Sequence, residues 1–406
     1  MKHSSLKPLD EALAELLAHA SPLDGGETVD SFEADGRVLL ADAVSALQVP
    51  PQDNSAMDGY ALRSADVAAP GALLPVSQRI PAGSVGHALQ PGTAARIFTG
   101  APVPPGADAV VMQEDCEVVE DGTVRVNAAP QAGQNIRRAG EDIALGATVL
   151  AAGTRLTPAA LGLAASIGLA QLPVARRPRV ALFSTGDELV MPGQVPPAQM
   201  KPGSIYNSNR FVLRAMLQRL GCEVTDLGIV PDRLEATVDA LRQAAAGHDL
   251  ILTSGGVSVG EEDHVKPAVQ SLGSLDLWLI AMKPGKPFAY GRVGGAHFIG
   301  LPGNPVSSLV TFAVLVRPFL LRLQGMHDVA PKSIAATAAF TWPRADKRRE
   351  FLRVRLNAEG QLERYANQGS GVLTSTVWGD GLVDVAPGQT IAPGDTVRFI
   401  PFAELL

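Results

Sequence analysis

The fold is decided by the stretch from Val180 to Gly303, which begins with Val180-Ala-Leu-Phe-Ser-Thr-Gly-Asp-Glu-Leu189. It continues with Asp249-Leu-Ile-Leu-Thr-Ser-Gly-Gly-Val-Ser-Val-Gly-Glu-Glu-Asp263, then Lys283-Pro-Gly-Lys-Pro287 and Gly300-Leu-Pro-Gly303. In each segment an apolar run leads to a glycine-rich turn beside carboxylates or lysines. Apolar runs that alternate with helix-like segments predict a parallel sheet, and such sheets bind ligands at the carboxyl ends of their strands. We therefore expect an α/β domain whose turns converge on one cleft.

The flanking sequence predicts further domains of different character. Residues 6–20 and 29–49 have helical periodicity, and helix-like sequence returns at 158–166 before a turn at Gly168. Between them, residues 52–150 are rich in Gly and Pro and carry short apolar runs, which predict an inserted β domain. Short strands return from Pro331, which indicates a second β domain of ordinary size.

Helix signals inside the α/β domain are specific. Residues 208–220 have helical spacing and stop at a glycine, and Asp232 stands at a capping-box distance from Glu235. Asn304 is a candidate cap for the last helix, with Pro305 at its first position, and Pro318 should kink that helix.

Composition limits the classes of function. A chain of 406 residues with a net charge of -7 should form several domains and is unlike a general nucleic-acid binder. Two isolated cysteines fit a reducing compartment and buried thiols. The N-terminus lacks the pattern of a signal peptide, and prolines interrupt both uncharged stretches, 156–175 and 298–316. We expect a soluble cytoplasmic protein with no membrane span.

The glycine-rich turns carry the candidate chemistry. Thr185-Gly-Asp-Glu188 combines a phosphate-holding turn with carboxylates, which makes sense if a divalent cation lies between them; the alternative is a polar turn with solvated acids. Ser254-Gly-Gly256 can wrap closely around a ligand, although it matches neither a Walker A loop nor a dinucleotide fingerprint. The alternative there is an ordinary turn from strand to helix.

Lys283 and Lys286 project from a turn that prolines restrain, an arrangement that suits phosphate oxygens. The alternative is an exposed turn in which lysine only aids solubility. The loop from Asp53 to Ala61 and the segment Gly140-Glu-Asp142 are equally ambiguous, because turn capping explains their acids as well as function does. The histidines show no metal-ligand spacing, and no Ser–His–Asp order can be defended.

Together these stretches resemble the molybdopterin molybdenumtransferase family, the MoeA-like proteins, which include the E domain of gephyrin. The resemblance covers nearly the whole chain and is carried, beside the segments already quoted, by Asp53-Asn-Ser-Ala-Met-Asp-Gly-Tyr-Ala61, Thr99-Gly-Ala-Pro-Val-Pro104, Val110-Val-Met-Gln-Glu114, Gly133-Gln-Asn-Ile-Arg-Arg-Ala-Gly-Glu-Asp142 and Leu301-Pro-Gly-Asn-Pro305. It implies an elongated N-terminal domain (1–50 and 146–176), an inserted β domain (51–145), a molybdopterin-binding-type α/β domain (177–326) and a C-terminal β-barrel-like domain (327–406). It also implies a homodimer whose active sites are shared between subunits.

The implied reaction is insertion of molybdate into adenylylated molybdopterin with release of AMP, assisted by a divalent cation, Mg²⁺. This agrees with the turns, because cleavage of a phosphoanhydride needs charge neutralisation at the phosphates. The resemblance also implies delivery of the pterin by a protein of the molybdopterin adenylyltransferase type, with neither nucleic acid nor membrane as partner.

The site residues follow from matching motifs. The resemblance implies catalytic roles for Asp58, Asp142, Glu188 and Asp263, and metal contacts for Asp187, Glu188 and Asp232. It implies substrate contacts for Thr99, Ser254, Gly255, Gly256, Lys283, Lys286, Pro302, Asn304, Arg348 and Ser370. Asp58, Thr99 and Asp142 would reach the site from the partner subunit.

One position departs from the family pattern, and two other functions stay open. Family members often have Asp where this chain has Asn207, so a hydrogen bond to the ligand is expected there in place of a metal or base role. A non-catalytic pterin-binding scaffold is one alternative function, and a molybdopterin adenylyltransferase, which shares the α/β domain, is the other.

Overall fold

The computed structural model describes residues 6–256 and 264–406. The chain forms two compact units, and each is described by itself. One unit holds the described parts of residues 1–27, 36–40 and 173–406, and the other holds residues 28–35 and 41–172. The finer division into four domains stays a prediction.

The first unit is built on a six-stranded sheet whose strands, in chain order, are β1 (Arg179–Thr185), β2 (Glu223–Val230), β3 (Leu250–Ser254), β4 (Gly273–Leu279), β5 (Pro287–Val293) and β6 (Ala296–Leu301). Their order across the sheet is β2-β1-β3-β6-β5-β4, and the pairs among β2, β1, β3 and β6 are parallel. The α/β class predicted from the sequence is therefore confirmed.

The expectation of a parallel sheet needs one correction, because β5 runs antiparallel to both of its neighbours. The connections explain this: residues 280–286 and the pair Gly294-Gly295 are too short for a parallel crossover, which takes a dozen residues or more. Because β5 is antiparallel to both β4 and β6, those two strands run parallel to each other. The carboxyl end of β4 therefore lies at the same sheet edge as those of β1, β3 and β6.

Helices cover both faces of this sheet, as the alternation of side chains along each strand requires. On one face, Val180, Leu182 and Leu252 pack with the helix Ser208–Arg219 and with the buried C-terminal helix of the domain. On the other face, Ala181, Phe183 and Ile251 pack with the helices Leu234–Ala245 and Val265–Leu272.

The buried C-terminal helix of the domain has an irregular middle. It consists of Pro305–Thr311, a π-helical segment Phe312–Val316, and Arg317–Leu323. Pro318, directly after this segment, lacks an N–H and so cannot complete the regular hydrogen-bond ladder. The kink that the sequence predicts there stays a prediction. Among the described residues this one helix is long and apolar enough to cross a membrane, but 83% of its most apolar window is buried within the protein.

The C-terminal part of this unit is a β domain joined to the α/β domain through a shared sheet. The strand order is Met282–Lys283, Arg349–Leu356, Gly381–Val385, Thr396–Pro401 and Ile334–Thr337, and Leu362–Arg364 pairs with Arg349–Leu356. A short helix, Thr374–Trp378, follows the loop that contains Ser370. The strand Met282–Lys283 comes from the α/β domain, so a lysine of that domain is held in the C-terminal sheet.

The second unit contains the predicted β insertion. Its six-stranded sheet has the order Ala109–Met112, Gly59–Leu62, Ala94–Ile97, Ala72–Ile80, Thr123–Val126 and Cys116–Val118. Two small pairs, Asn54–Ser55 with Ile136–Arg137 and Ala43–Val44 with Thr148–Leu150, and the helix Pro158–Ser166 complete the unit. The strands Gly26–Asp30 and Gln171–Ala175 lie where the chain passes from one unit to the other.

The N-terminal prediction is only half right. A helix forms at Leu9–Ala18, but residues 29–49 are not helical. Asp30 accepts a hydrogen bond from the amide of Phe32 and caps a single 3₁₀ turn, Ser31–Glu33. Gly36 then has a φ of 71°, a conformation that ends a helix and that glycine adopts readily.

Candidate functional site

A cavity of about 670 Å³ lies at the carboxyl edge of the α/β sheet. It is lined by Thr185, Glu188, Leu189, 205–209, 254–256, 282–287, 302–305, Ser307, Arg348 and 368–370. The expected convergence of the glycine-rich turns on one cleft is therefore present. The C-terminal β domain supplies part of the wall.

The turn after β1 places a carboxylate at this cavity. Gly186 has a φ of 141°, and a Cβ built on it would lie 2.5 Å from Oε2 of Glu188. The side chain of Glu188 thus folds back over the glycine, which only a residue without a Cβ permits. Asp187 is also exposed but does not line the cavity.

The turn after β3 brings backbone close to the cavity. Gly255 and Gly256 both have positive φ values, 87° and 67°, and Ser254 is almost fully buried. A Cβ on Gly256 would lie 2.4 Å from Val265 and 2.9 Å from Oγ1 of Thr185. Side chains are excluded here, so that the backbone itself forms the surface. The acidic segment that follows, including Asp263, lies outside the described residues.

The lysine turn connects β4 to β5 and is packed against the buried helix. Gly285 has a φ of 99°, and a Cβ there would lie 2.4 Å from Oγ1 of Thr311. The amide of Ile280 donates to the carbonyl of Lys286 at 2.8 Å and closes the turn. Lys286 is exposed, whereas the ammonium of Lys283 lies 2.8 Å from Oε1 of Glu350.

The start of the buried helix forms another part of the wall. Asn304 is at the N-cap position and Pro305 at the first helical position, but the Asn304 side chain makes no capping hydrogen bond. The expectation that Asn304 caps this helix with its side chain is therefore wrong. The amide of Val306 donates instead to the carbonyl of Ser370 at 2.9 Å, which ties the helix to the C-terminal domain.

Two asparagines beside the cavity have local structural partners. Oδ1 of Asn207 accepts a hydrogen bond from the amide of Arg210 and caps the helix Ser208–Arg219. Nδ2 of Asn209 donates to the carbonyl of Gly303 at 2.7 Å. Nδ2 of Asn207 is buried and has no hydrogen-bond partner among the described residues, so it is a candidate donor to a ligand.

The C-terminal domain contributes a fixed arginine. Nε and Nη2 of Arg348 lie 3.0 and 2.7 Å from the two carboxylate oxygens of Asp346. The hydrogen bonds from Arg348 lower the pKa of Asp346 and raise the pKa of the guanidinium, so both groups stay charged. Arg348 and Ser370 therefore face the cavity from one domain, while the lysines face it from the other.

The structure gathers most of the predicted site residues at this cavity: Glu188, Ser254, Gly255, Gly256, Lys283, Lys286, Pro302, Asn304, Arg348 and Ser370. Asp232 follows β2 but is not part of the lining. The helix after it has Arg233 at its N-cap position, one residue later than the sequence indicates.

Three predicted residues belong to the second unit. Oδ1 of Asp58 accepts hydrogen bonds from the amide and the hydroxyl of Thr99, at 2.8 and 2.7 Å. These bonds lower the pKa of Asp58, so its carboxylate is ionised at neutral pH. Asp142 is exposed on a turn whose backbone bonds to Val49. Asp58 and Thr99 thus form a hydrogen-bonded pair.

Sequence reasoning missed Glu350, Trp342 and Asp346. Each of them holds a cavity residue or its partner in place, but none stands in a recognisable turn motif. Asp346 could have been noticed two positions before Arg348. The contact of Glu350 with Lys283 depends on pairing between distant strands, which a single sequence does not reveal.

Neither cysteine lines the cavity; Cys222 is buried as expected, whereas Cys116 is only half-buried. Cys116 and Cys222 are free thiols. Burial raises the pKa of Cys116 to about 11 and that of Cys222 to about 12. Both thiols are protonated at neutral pH and are therefore poor nucleophiles, in agreement with a structural role.

The donor set at the cavity fits a magnesium ion only with help from a ligand. The described residues contain no group of three or more His, Cys, Asp or Glu side chains that could hold a metal. Glu188 is the carboxylate that the described lining provides. Mg²⁺ commonly binds through one or two carboxylates together with substrate phosphates, and this arrangement offers that mode.

Three models of known protein families together match most of the chain. Residues 7–168 match the model described as MoeA N-terminal region (domain I and II), and residues 181–322 match a probable molybdopterin binding domain. Residues 335–402 match the MoeA C-terminal region (domain IV). The fold and the cavity thus define a protein with a molybdopterin-binding-type domain.

Comparison with individual proteins identifies the family more closely. The chain is 40% identical to a molybdopterin molybdenumtransferase of Haemophilus influenzae, over 98% of this chain and 99% of the relative. It is 41% identical to molybdopterin molybdenumtransferase 2 of Mycobacterium tuberculosis, over 94% of this chain and 95% of the relative. It is also 33% identical to gephyrin of Dictyostelium discoideum, over 79% of this chain and 50% of that protein.

Solved structures agree. A molybdopterin biosynthesis MoeA protein of Pyrococcus horikoshii superposes with a TM-score of 0.83 at 28% identity, over 98% of this chain and 100% of that one. A second structure of such a protein gives a TM-score of 0.76 at 32% identity, over 98% and 99%. The chain belongs to the MoeA family of molybdopterin molybdenumtransferases.

Proposed function

We propose that the protein is a molybdopterin molybdenumtransferase that acts in molybdenum cofactor biosynthesis. Its substrates are molybdate and adenylylated molybdopterin, and AMP is released when the phosphoanhydride is cleaved. The observation that carries this proposal is the charge of the cavity. Lys283, Lys286 and Arg348 line it together with the single described carboxylate of Glu188, in a chain whose net charge is -7.

That charge distribution suits a ligand with two phosphates. The lysines approach from the turn between β4 and β5, and Arg348 approaches from the C-terminal domain. Several cations around one cavity can neutralise both phosphates of an anhydride and hold it in one orientation. The glycine turn at Gly255 and Gly256 leaves room for the ligand to touch the backbone.

In the proposed reaction the protein forms no covalent bond with the substrate. Molybdate assists the attack on the anhydride, so no protein nucleophile is required, and the thiols are in any case protonated at neutral pH. The protein neutralises charge at the phosphates and holds the substrate in a fixed orientation relative to molybdate. Lys286, Lys283 and Arg348 bind the phosphates, and buried Nδ2 of Asn207 is available to a ligand acceptor.

Glu188 would hold Mg²⁺ together with phosphate oxygens of the substrate. When bound, the ion supplies Lewis-acid polarisation of the phosphoryl oxygens. Glu188 is placed for this role because its carboxylate lies over Gly186 at the rim of the cavity. Asp187, Asp232 and Asp263 stay in the proposal as further metal or catalytic carboxylates.

The remaining parts of the proposal concern assembly and location. Asp58, Thr99 and Asp142 serve the site of the partner subunit in a homodimer. The adenylylated pterin is delivered by a protein of the adenylyltransferase type, and the reaction takes place in the cytoplasm. Neither nucleic acid nor a membrane takes part. The hydrogen-bonded Asp58–Thr99 pair supports the proposed role in the partner's site, because an ionised carboxylate oriented by hydrogen bonds suits contact with a ligand.

The deciding experiment incubates the purified chain with adenylylated molybdopterin and Mg²⁺, with and without molybdate, and measures AMP by chromatography. We expect AMP release that depends on molybdate. Binding of the pterin without AMP release under any condition would refute catalysis and favour a scaffold. Formation of adenylylated pterin from ATP and molybdopterin would instead show an adenylyltransferase.

A further inference from the structure

We propose that Glu350 is a positioning residue for Lys283, through which the C-terminal β domain sets the geometry of the phosphate site. The inference rests on the proposed function in one respect, since it takes Lys283 as a ligand of the substrate phosphates. It adds a residue outside the turn motifs and gives the two lysines of one turn different roles.

The two residues meet in a defined strand pairing. Lys283 lies in Met282–Lys283 and Glu350 in Arg349–Leu356, and the two stand opposite each other in parallel register. The ammonium of Lys283 is 2.8 Å from Oε1 of Glu350. The strand pairing fixes the separation of the two backbones, so the two side chains are held within reach of each other, in contrast to pairs between mobile surface side chains.

Glu350 is itself held firmly. Its side chain is 3% exposed, and the indole Nε1 of Trp342 donates to Oε2 at 2.7 Å. The same indole ring lies 5.8 Å from the Lys283 ammonium. A carboxylate this deeply buried needs a charged partner, because removal of a charge from water is costly. Glu350 therefore restrains the lysine, and the lysine neutralises Glu350.

Lys283 remains available to a ligand despite this contact. Its side chain is 43% exposed, and the ammonium has three donors. Oε1 of Glu350 makes no hydrogen bond with regular geometry in the described part of the chain, so the contact with Lys283 is an ion pair by distance alone. The ammonium can thus turn its N–H bonds toward the cavity while the carboxylate keeps it in place.

Lys286 offers the contrast. It is exposed at the same cavity, and it is in none of the ion pairs found among residues 6–256 and 264–406. A free lysine loses more conformational freedom on binding than one that is already restrained. We infer that Lys286 mainly attracts the phosphates electrostatically. Lys283, which is already held by Glu350, orients the phosphate once it is bound.

Loss of the Glu350 charge should therefore separate binding from turnover. In Glu350→Gln the amide can still accept from Trp342, but Lys283 is no longer restrained. Removal of a negative charge next to an anion site does not weaken anion binding, whereas the loss of orientation slows the reaction. A purely structural role would reduce both together with the melting temperature.

The first measurement reports on Lys283 without any turnover. An amine-reactive reagent is applied to the full chain, and labelling of each lysine is followed by mass spectrometry. Glu350→Gln should label Lys283 faster by about fivefold, given the size of ordinary pairwise couplings, while Lys286 in the same sample keeps its parent rate. Glu363→Gln is the matched control, because Glu363 forms an exposed ion pair with Arg355 in the same domain.

The second measurement is a double-mutant cycle on AMP release and on binding of inorganic pyrophosphate by calorimetry. Glu350→Gln should lower kcat about tenfold and change the pyrophosphate Kd by less than about threefold. In a Lys283→Met background the same substitution should have no further effect on kcat. If Glu350→Gln does not fold, Trp342→Phe removes the indole donor and should show the same trend to a smaller extent.

The outcomes separate this inference from the proposed function. Absence of AMP release by the parent would overturn the proposed function, while the labelling experiment would still test the restraint of Lys283. Unchanged Lys283 labelling in Glu350→Gln would overturn the inference. So would an equal loss of kcat in the Lys283→Met background, because Glu350 would then act independently of the lysine.

Discussion

Replacement of Glu188 and of Lys286 by alanine should damage the enzyme in different ways. Glu188 presents a carboxylate over Gly186, and Lys286 presents an exposed ammonium from the turn between β4 and β5. If the carboxylate serves the cation and the ammonium serves the phosphates, Glu188→Ala should abolish AMP release while the adenylylated pterin still binds. Lys286→Ala should weaken binding itself.

The structure indicates the size of each effect. A charge-assisted hydrogen bond to phosphate contributes about 1–3 kcal/mol, which corresponds to a loss of about 5- to 150-fold in affinity. Lys286 is exposed and shares the phosphates with Lys283 and Arg348, so its loss should fall toward the lower end of that range. Glu188→Ala removes a negative charge beside an anion and should leave affinity equal or slightly improved.

Calorimetry with adenylylated molybdopterin and chromatography of AMP measure binding and turnover on the same preparations. Lys332→Ala and Glu235→Ala are matched controls, because both residues are exposed and neither lines the cavity. Normal turnover by Glu188→Ala would refute its role. Parent-like binding by Lys286→Ala would show that the phosphates bind elsewhere.

Four further predictions test other parts of the molecule. Gly285→Ala should destabilise the protein by about 1–3 kcal/mol, because its φ of 99° is strained for alanine and the new Cβ would lie 2.4 Å from Oγ1 of Thr311. Gly303→Ala is the control: the atom nearest to its new Cβ is 3.9 Å away, so this variant should have the melting temperature of the parent. Asn207→Asp should keep its helix cap and leave the Mg²⁺ concentration for half-maximal AMP release unchanged; a large shift would show that this position tunes the metal. Burial, with Arg292 as the next cause, lowers the pKa of His297 to about 4, so the unfolded chain binds a proton between about pH 6.5 and 4 that the folded protein does not. The free energy of unfolding should therefore fall by as much as about 3 kcal/mol as the pH is lowered from about 6.5 to 4. In His297→Gln, urea titrations should show a smaller dependence of this free energy on pH. Light scattering at assay concentration should show a dimer, and a stable active monomer would contradict the shared site.

Much of the α/β domain could be predicted because its signals are local. The strand Glu223–Val230 and the helix Ser208–Arg219 lie where periodicity, caps and glycines place them. The helix Pro158–Ser166 of the second unit was predictable for the same reason. The direction of β5 was missed because alternation of apolar residues does not reveal strand polarity; only the seven-residue connection 280–286 carried that information. At 29–49 the apolar spacing was misleading, since a capped 3₁₀ turn and Gly36 end any helix early.

Some residues of the candidate site could likewise be predicted from local signals, and others could not. Glu188, Ser254 and Lys286 stand in turns that follow strands of one sheet, so topology alone brings them to one edge. Residues that hold others in place were not predictable, because their partners lie far away in sequence. Glu350 resembles any polar residue of a strand until the register of Arg349–Leu356 sets it opposite Lys283. Asn304 shows the converse, as a good capping residue whose side chain makes no cap.

The contrast between the charge of the whole chain and that of its cavity lining shows how an acidic protein could bind the highly charged anion of the proposed reaction. A net charge of -7 repels anions at long range, but salt screens charges beyond about 8 Å at physiological ionic strength. Within that distance the phosphates of the proposed substrate would meet Lys283, Lys286 and Arg348, which all line the cavity. Glu350 and Asp346 neutralise part of this positive charge, yet Asp346 holds Arg348 in place, as we infer Glu350 does for Lys283. Under the proposed function each carboxylate would lower the attraction for small anions and fix the direction of its cation, which would favour a ligand with two correctly spaced phosphates over free phosphate.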